Sequence, residues 1–224
     1  MSMKIIDLKI KLRVIPLSFI IVVGLLSTSL NTSAQAEPST TAQKAKLKTA
    51  DWKPDTGFEK LFNGTTLQGW CYRNKDGEIT EKFDAKKVSS DGRYTAANGI
   101  LTVNYPVGVE RKIQESWTLR NFPGNFILKI EFRASPNADS GIFLRGPQLQ
   151  CRDYTVAGPY KDLKNYRPQD WNTIVVTVKN NIAHCECNGE VLEDALKLPA
   201  SGPIGLEGDH GQMEYRHIQI KELP

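Results

Sequence analysis

The chain has 224 residues, 40% hydrophobic and 24% charged, with 29 Lys and Arg against 25 Asp and Glu for a formal net charge of +4. That length suits a single folded core once terminal segments are set aside. The excess of positive charge belongs mostly to the first 36 residues, and no Lys/Arg stripe with interleaved aromatics follows, which excludes nucleic acid as the expected partner.

Lys4, Lys9, Lys11 and Arg13 precede the apolar run VIPLSFIIVVGLLSTSL, which ends in NTSAQA. This is the layout of a secretory signal peptide, with Ala34-Gln35-Ala36 as the cleavage box. The run holds Pro16 and Gly24 and falls short of the roughly 20 apolar residues of a membrane span. No Cys follows it for lipid attachment. Residues 1–36 are therefore expected to be removed, 37–50 (EPSTTAQKAKLKTA) to form a flexible tether, and 51–224 to fold as one domain. The mature protein is expected to be exported, periplasmic or extracellular, without membrane attachment.

From there turn signals are dense: Asn63-Gly64, Asp76-Gly77, Asp91-Gly92, Asn98-Gly99 and Asn188-Gly189 supply positive-φ residues for tight turns. Between them lie short runs rich in β-branched and aromatic residues: ILTVNY, SWTLRNF, NFILKIEFRAS, SGIFLRG, PQLQCRDY, NTIVVTVKN, IAHCECNG, PIGLEGD and MEYRHIQIKEL. No run keeps a 3.6-residue apolar period beyond two turns. The pattern predicts an all-β, antiparallel β-sandwich or jelly roll in a single domain. WNTIVVTVKNNIAHCECNGEVLEDA reads as a meander, and EYRHIQIKEL as a central closing strand with Tyr215, His217, Gln219 and Lys221 on one face.

Cys71, Cys151, Cys185 and Cys187 all fall after the export signal, where disulfides are permitted. Three pairings are open, and spacing does not choose among them. Cys185 and Cys187 stand about 6.6 Å apart on one strand face, at the edge of bonding reach. Buried thiols or one disulfide are expected over a zinc site, because only His184 lies nearby.

The segment SGIFLRGPQLQCRDY carries the densest polar pattern. Gln148, Gln150 and Arg152 recur every second residue and share a face, while Leu149 and Cys151 face the other way. Such a face is either solvated or the lining of a site. Asp153 either joins that face through a bulge or caps the next turn. Trp70, Trp117 and Trp171 are expected mainly as core, and Tyr154, Tyr160 and Tyr166, in an aperiodic loop, as ring-stacking candidates.

LFNGTTLQGW, ADSGIFLRG, PQLQCRDY, QDWNTIVVTV, CNGEVLED and GPIGLEGDHGQMEYRHIQIKEL resemble, in order, the motifs of the 3-keto-disaccharide hydrolase family, from about Gly57 to Leu223. The resemblance implies a concanavalin A-like lectin/glucanase fold and cleavage of glycosides whose C3 hydroxyl has been oxidised by a separate sugar 3-dehydrogenase. A C3 ketone acidifies the C2 proton; a base removes it, the C1 substituent leaves by β-elimination, and water adds to the enone. Such a site needs a base, a donor or cation for the enolate oxygen and a proton source, rather than the opposed carboxylates of ordinary glycosidases.

On that reading Asp153, His210 and Glu207 are acid/base candidates, Arg145 and Arg216 charge stabilisers, Gln148, Gln150 and Arg152 sugar-orienting groups, and Tyr154 and Tyr160 stacking groups. The family usually shows Glu where Gln148 stands and often Gln where Glu207 stands. That departure keeps a second reading open, a non-catalytic carbohydrate-binding module on the same fold. QLQCRD lacks the ExDxxE carboxylates of a conventional glucanase. No cofactor is identified, and a divalent metal such as calcium near Asp139 is left open.

Overall fold

The computed structural model describes residues 52–105 and 113–224; the expected signal peptide and tether lie outside the described residues. Asn98 and Gly99, Asn180 and Asn181, and Asn188 and Gly189 all adopt positive φ at both central turn positions, the geometry that matches the twist of paired strands. These turns join β4 (Tyr94–Ala97) to β5 (Ile100–Val103), and β10 (Asn172–Lys179) to β11 (Ile182–Cys187) and β12 (Glu190–Lys197). Before them come β1 (Glu59–Lys60), β2 (Trp70–Arg73) and β3 (Ile79–Lys82). Between β5 and β10 run β6 (Gln114–Thr118), β7 (Asn125–Ala134), β8 (Gly141–Leu144) and β9 (Gln148–Gln150). The chain closes with β13 (Ile204–Gly208) and β14 (Met213–Leu223).

Two antiparallel sheets result, as the strand pattern predicts. One has the order β12-β11-β10-β7-β14-β5-β4, with β1 also paired to β14; the other has the order β3-β2-β6-β13-β8-β9. Phe126, Leu128, Ile130, Phe132 and Ala134 alternate into the core from β7, and Ile174, Val176 and Val178 from β10. Trp70, Ile142, Leu144, Leu149, Ile204 and Leu206 meet them from the six-stranded sheet. Each large apolar side chain so buried contributes about 1.5–3 kcal/mol.

Strict alternation fails in β14. The register shifts between Arg216 and Gln219, and His217 sits there at φ 52. This bulge lets Tyr215, Ile218 and Ile220 all be buried, where alternation would set Tyr215 opposite the two isoleucines. All four cysteines are free and fully buried, so the structure realises the buried-thiol alternative. Burial pushes the thiols of Cys185 and Cys187 up to about 12.

Candidate functional site

In β13, Ile204 and Leu206 fill the core, so Gly205 and Glu207 face out of the sandwich. In β6 the buried Ser116 and Thr118 alternate with the partly exposed Glu115 and Trp117. Register sets Glu207 opposite Glu115, and aligns Trp117, Gly205, Phe143 and Gln148 in a row across four strands. Gly205 permits this row, because a Cβ there would meet the Trp117 ring at 2.7 Å. Trp117 and Phe143, with ring centroids 5.1 Å apart, thus form an apolar platform.

Glu207 is the chemically distinctive group of this face. It is 9% exposed, and Gln148 Nε2 donates to its Oε2 at 2.6 Å. Burial pushes its carboxyl up to about 7, assisted by the negative charges of Asp209, Glu115 and Asp139 and only partly opposed by the Gln148 bond. Both protonation states are therefore populated near neutrality, the condition for efficient acid/base work. Its strand is held firmly: Ser140 Oγ donates to the Glu207 carbonyl at 2.8 Å, and Arg93 Nη1 to that of Gly208 at 2.8 Å.

Beside this pair, Asp139 accepts from Gln150 Nε2 at 2.6 Å and pairs with Arg152 Nη1 at 3.0 Å. Two backbone bonds tie Asp139 to His210, whose exposed ring lies edge-on to Tyr105. Gln148, Gln150, Arg152, Glu207 and His210 are thus brought together by the six-stranded sheet and its β13–β14 loop. Both Asp139 carboxylate oxygens are engaged by Gln150 and Arg152. Among the described residues no group of three His, Cys, Asp or Glu side chains is arranged to hold a metal ion.

Four expected site residues lie elsewhere, and a fifth, Arg145, lines the cleft beside Glu115 and Trp117 with its guanidinium turned to loop acceptors. Arg145 would share the face of Phe143 by alternation, but φ 58 turns it away. Its guanidinium bonds Asn181 Oδ1 and the carbonyls of Pro199 and Gly124, a loop clamp instead of an anion site. Asp153 is 2% exposed and accepts from Asn137 N, Thr155 Oγ1, Tyr166 OH and Gln169 Nε2, so its carboxylate caps a loop. Tyr154 is buried against Phe132, Tyr160 and Tyr166. Tyr160 is buried with its hydroxyl on Glu193 in the other sheet. Arg216 also belongs to that sheet, bonding Glu131 at 2.7 Å and stacking on Trp171.

Sequence reasoning passed over Glu115 and Phe143, and placed Trp117 mainly in the core. The signal that finds Glu115 and Trp117 is the alternation Glu115-Ser116-Trp117-Thr118, in which the smaller residues face inward. Glu115 and Trp117 line a cleft of about 590 Å³ with Arg73, Asn74, Lys75, Gln114 and Arg145. A second pocket, of about 240 Å³, lies beside Arg133, Gln169 and Glu214.

Family and fold, with an aromatic platform set beside amides and a protonatable carboxyl, mark the chain as a carbohydrate-active, glycosyl hydrolase-like protein. Residues 57–221 match the family described as the 3-keto-alpha-glucoside-1,2-lyase-like domain, and the chain belongs to that family. Two solved structures from Parabacteroides distasonis, each described as a glycosyl hydrolase candidate, share the fold. One is 17% identical with a TM-score of 0.55, over 75% of this chain and 95% of its own. The other is 19% identical with a TM-score of 0.52, over 74% of this chain and 99% of its own. A comparison with curated proteins finds no match.

Proposed function

We propose that this protein is an exported enzyme that cleaves glycosides bearing a ketone at C3, by loss of the C2 proton, expulsion of the C1 substituent and addition of water. The observation that carries the reading is Glu207. A buried carboxyl near pH 7, in bonding contact with Gln148 on an open sheet face, is a proton-transfer group. Glu207 supplies the proton that the departing C1 oxygen requires. Gln148 and Gln150 orient hydroxyls, and the Trp117–Phe143 platform receives the apolar face of a pyranose. The C3 ketone has to come from a separate oxidation of a C3 hydroxyl, and the export reading rests on the N-terminal segment.

The test is incubation with a methyl 3-keto-glucoside. Release of methanol and 3-keto-glucose is expected, with a fall of about 10²–10⁴-fold in Glu207→Gln. Binding of the keto-sugar without any turnover would instead establish the binding-module reading.

A further inference from the structure

The reading above leaves two parts of the reaction without residues, the base for C2 and the group that receives the enolate charge. Asp153 is enclosed by four donors, and Arg145 is committed to loop acceptors. We infer that Glu115 is the base and that the cleft beside it is the keto-ring subsite, where Lys75 faces the enolate oxygen and Glu207 serves as the acid.

Three observations carry this. Glu115 and Glu207 are a direct cross-strand pair on one face, which sets their Cβ atoms about 4.5–5.5 Å apart, a spacing that lets two carboxyls address C2 and the C1 oxygen of one sugar. Their surroundings differ: Glu207 is enclosed under Gln148, while Glu115 is partly exposed and lines the 590 Å³ cleft. Two carboxyls in contrasting environments divide into acid and base. Third, the cations around the cleft are unequally engaged. Arg73 gives its guanidinium to the carbonyls of Gly77, Thr118 and Leu119, and Arg145, which also lines the cleft, gives its own to Asn181 and the carbonyls of Pro199 and Gly124, whereas Lys75 has no ion-pair partner among the described residues. Trp117, in the same lining, is the floor on which the ring rests.

The steps balance. The Glu115 carboxylate takes the C2 proton, and the C–H electron pair forms C2=C3 with the charge on the C3 oxygen beside Lys75. That charge returns as C3=O while C1=C2 forms and C1–O breaks, the departing oxygen taking the Glu207 proton. Water then adds to C1 and gives its proton to Glu207, while C2 recovers a proton from Glu115. Both carboxyls end as they began.

This inference rests on the proposed activity, and its test separates the two. Wild type, Glu115→Gln, Glu207→Gln and Lys75→Met are compared on methyl and 4-nitrophenyl 3-keto-glucosides in D₂O, with NMR following deuterium at C2. Glu115→Gln is expected to lose about 10²–10⁴-fold of both C2 exchange and cleavage for either substrate. Glu207→Gln should spare the nitrophenyl substrate, whose leaving group needs no acid, and lose the methyl one. Lys75→Met should lower kcat with little change in KM. Wild-type C2 exchange in a folded Glu115→Gln overturns the assignment while leaving the activity standing. A wild type that neither exchanges nor cleaves overturns both.

Discussion

Replacing Glu207 by Gln should make the protein more stable at neutral and alkaline pH, and not in acid. The fold raises this carboxyl from an ordinary value of 4.5 to about 7. At about 1.4 kcal/mol per pH unit, holding the ionised form in the fold costs about 3 kcal/mol. Between pH 4.5 and 7 the folded chain binds the extra proton, so stability is full below 4.5 and is lost as pH rises through 7. The charges facing Glu207 are Glu115 on β6, Asp209 beyond β13 and Asp139 before β8, the last paired with Arg152. Gln fills the same space, can bond Gln148 and cannot ionise. Urea unfolding of the two proteins from pH 4 to 8, followed by tryptophan fluorescence, should show the Gln variant gaining up to about 3 kcal/mol on wild type by pH 8. A difference that stays constant across that range would refute the account of Glu207.

Exchanging the contacting pair, with Gln148→Glu and Glu207→Gln together, should keep the fold and recover at least about tenfold of the activity that Glu207→Gln alone loses; turnover equal to the single variant would show that the acid works only from β13. Asp153→Ala removes the acceptor of four donors and should cost about 3 kcal/mol in chemical denaturation. Its turnover per folded molecule should be unchanged, and a stable but inactive variant would return Asp153 to the chemistry. Alkylation without reductant should label no cysteine in the native protein and four after unfolding; fewer than four would reveal a disulfide.

Strand positions were legible wherever one face is buried and the other wet. β7 and β10 alternate cleanly, and paired positive-φ Asn and Gly residues mark their turns. β2 was less visible because Trp70, Cys71 and Tyr72 are all buried, so no alternation distinguishes it. β3 is almost wholly exposed and offers the opposite blank. Residue types mattered less than geometry at the site. Arg145 has the chemistry of an anion binder, yet one left-handed backbone angle points it at loop acceptors. The tyrosines of residues 154–166 read as a stacking loop because the segment lacks periodicity, but Phe132 draws Tyr154 and Tyr166 inward. Arg216 shares a motif with His210, and the bend between β13 and β14 assigns its strand to the other sheet. A single sequence does not say which sheet a strand joins, and that choice decides which polar residues converge.

The exchange at positions 148 and 207 is better understood as a relocation than as a loss. Resemblance puts an acid at 148 and an amide at 207; this chain holds the reverse, and the two side chains touch at 2.6 Å. The contact keeps one acid and one amide whichever strand carries which. What changes is solvation, since Gln148 is exposed near the sheet edge while Glu207 is enclosed on an interior strand. An acid at the edge would titrate nearer its ordinary range, whereas the interior position makes it protonatable at neutral pH. That placement costs about 3 kcal/mol above pH 7, a large part of the 5–15 kcal/mol by which domains are stable. Glutamine would fill the position without that cost. On the proposed activity that cost has a use, since uncompensated local costs of this kind are expected at functional sites.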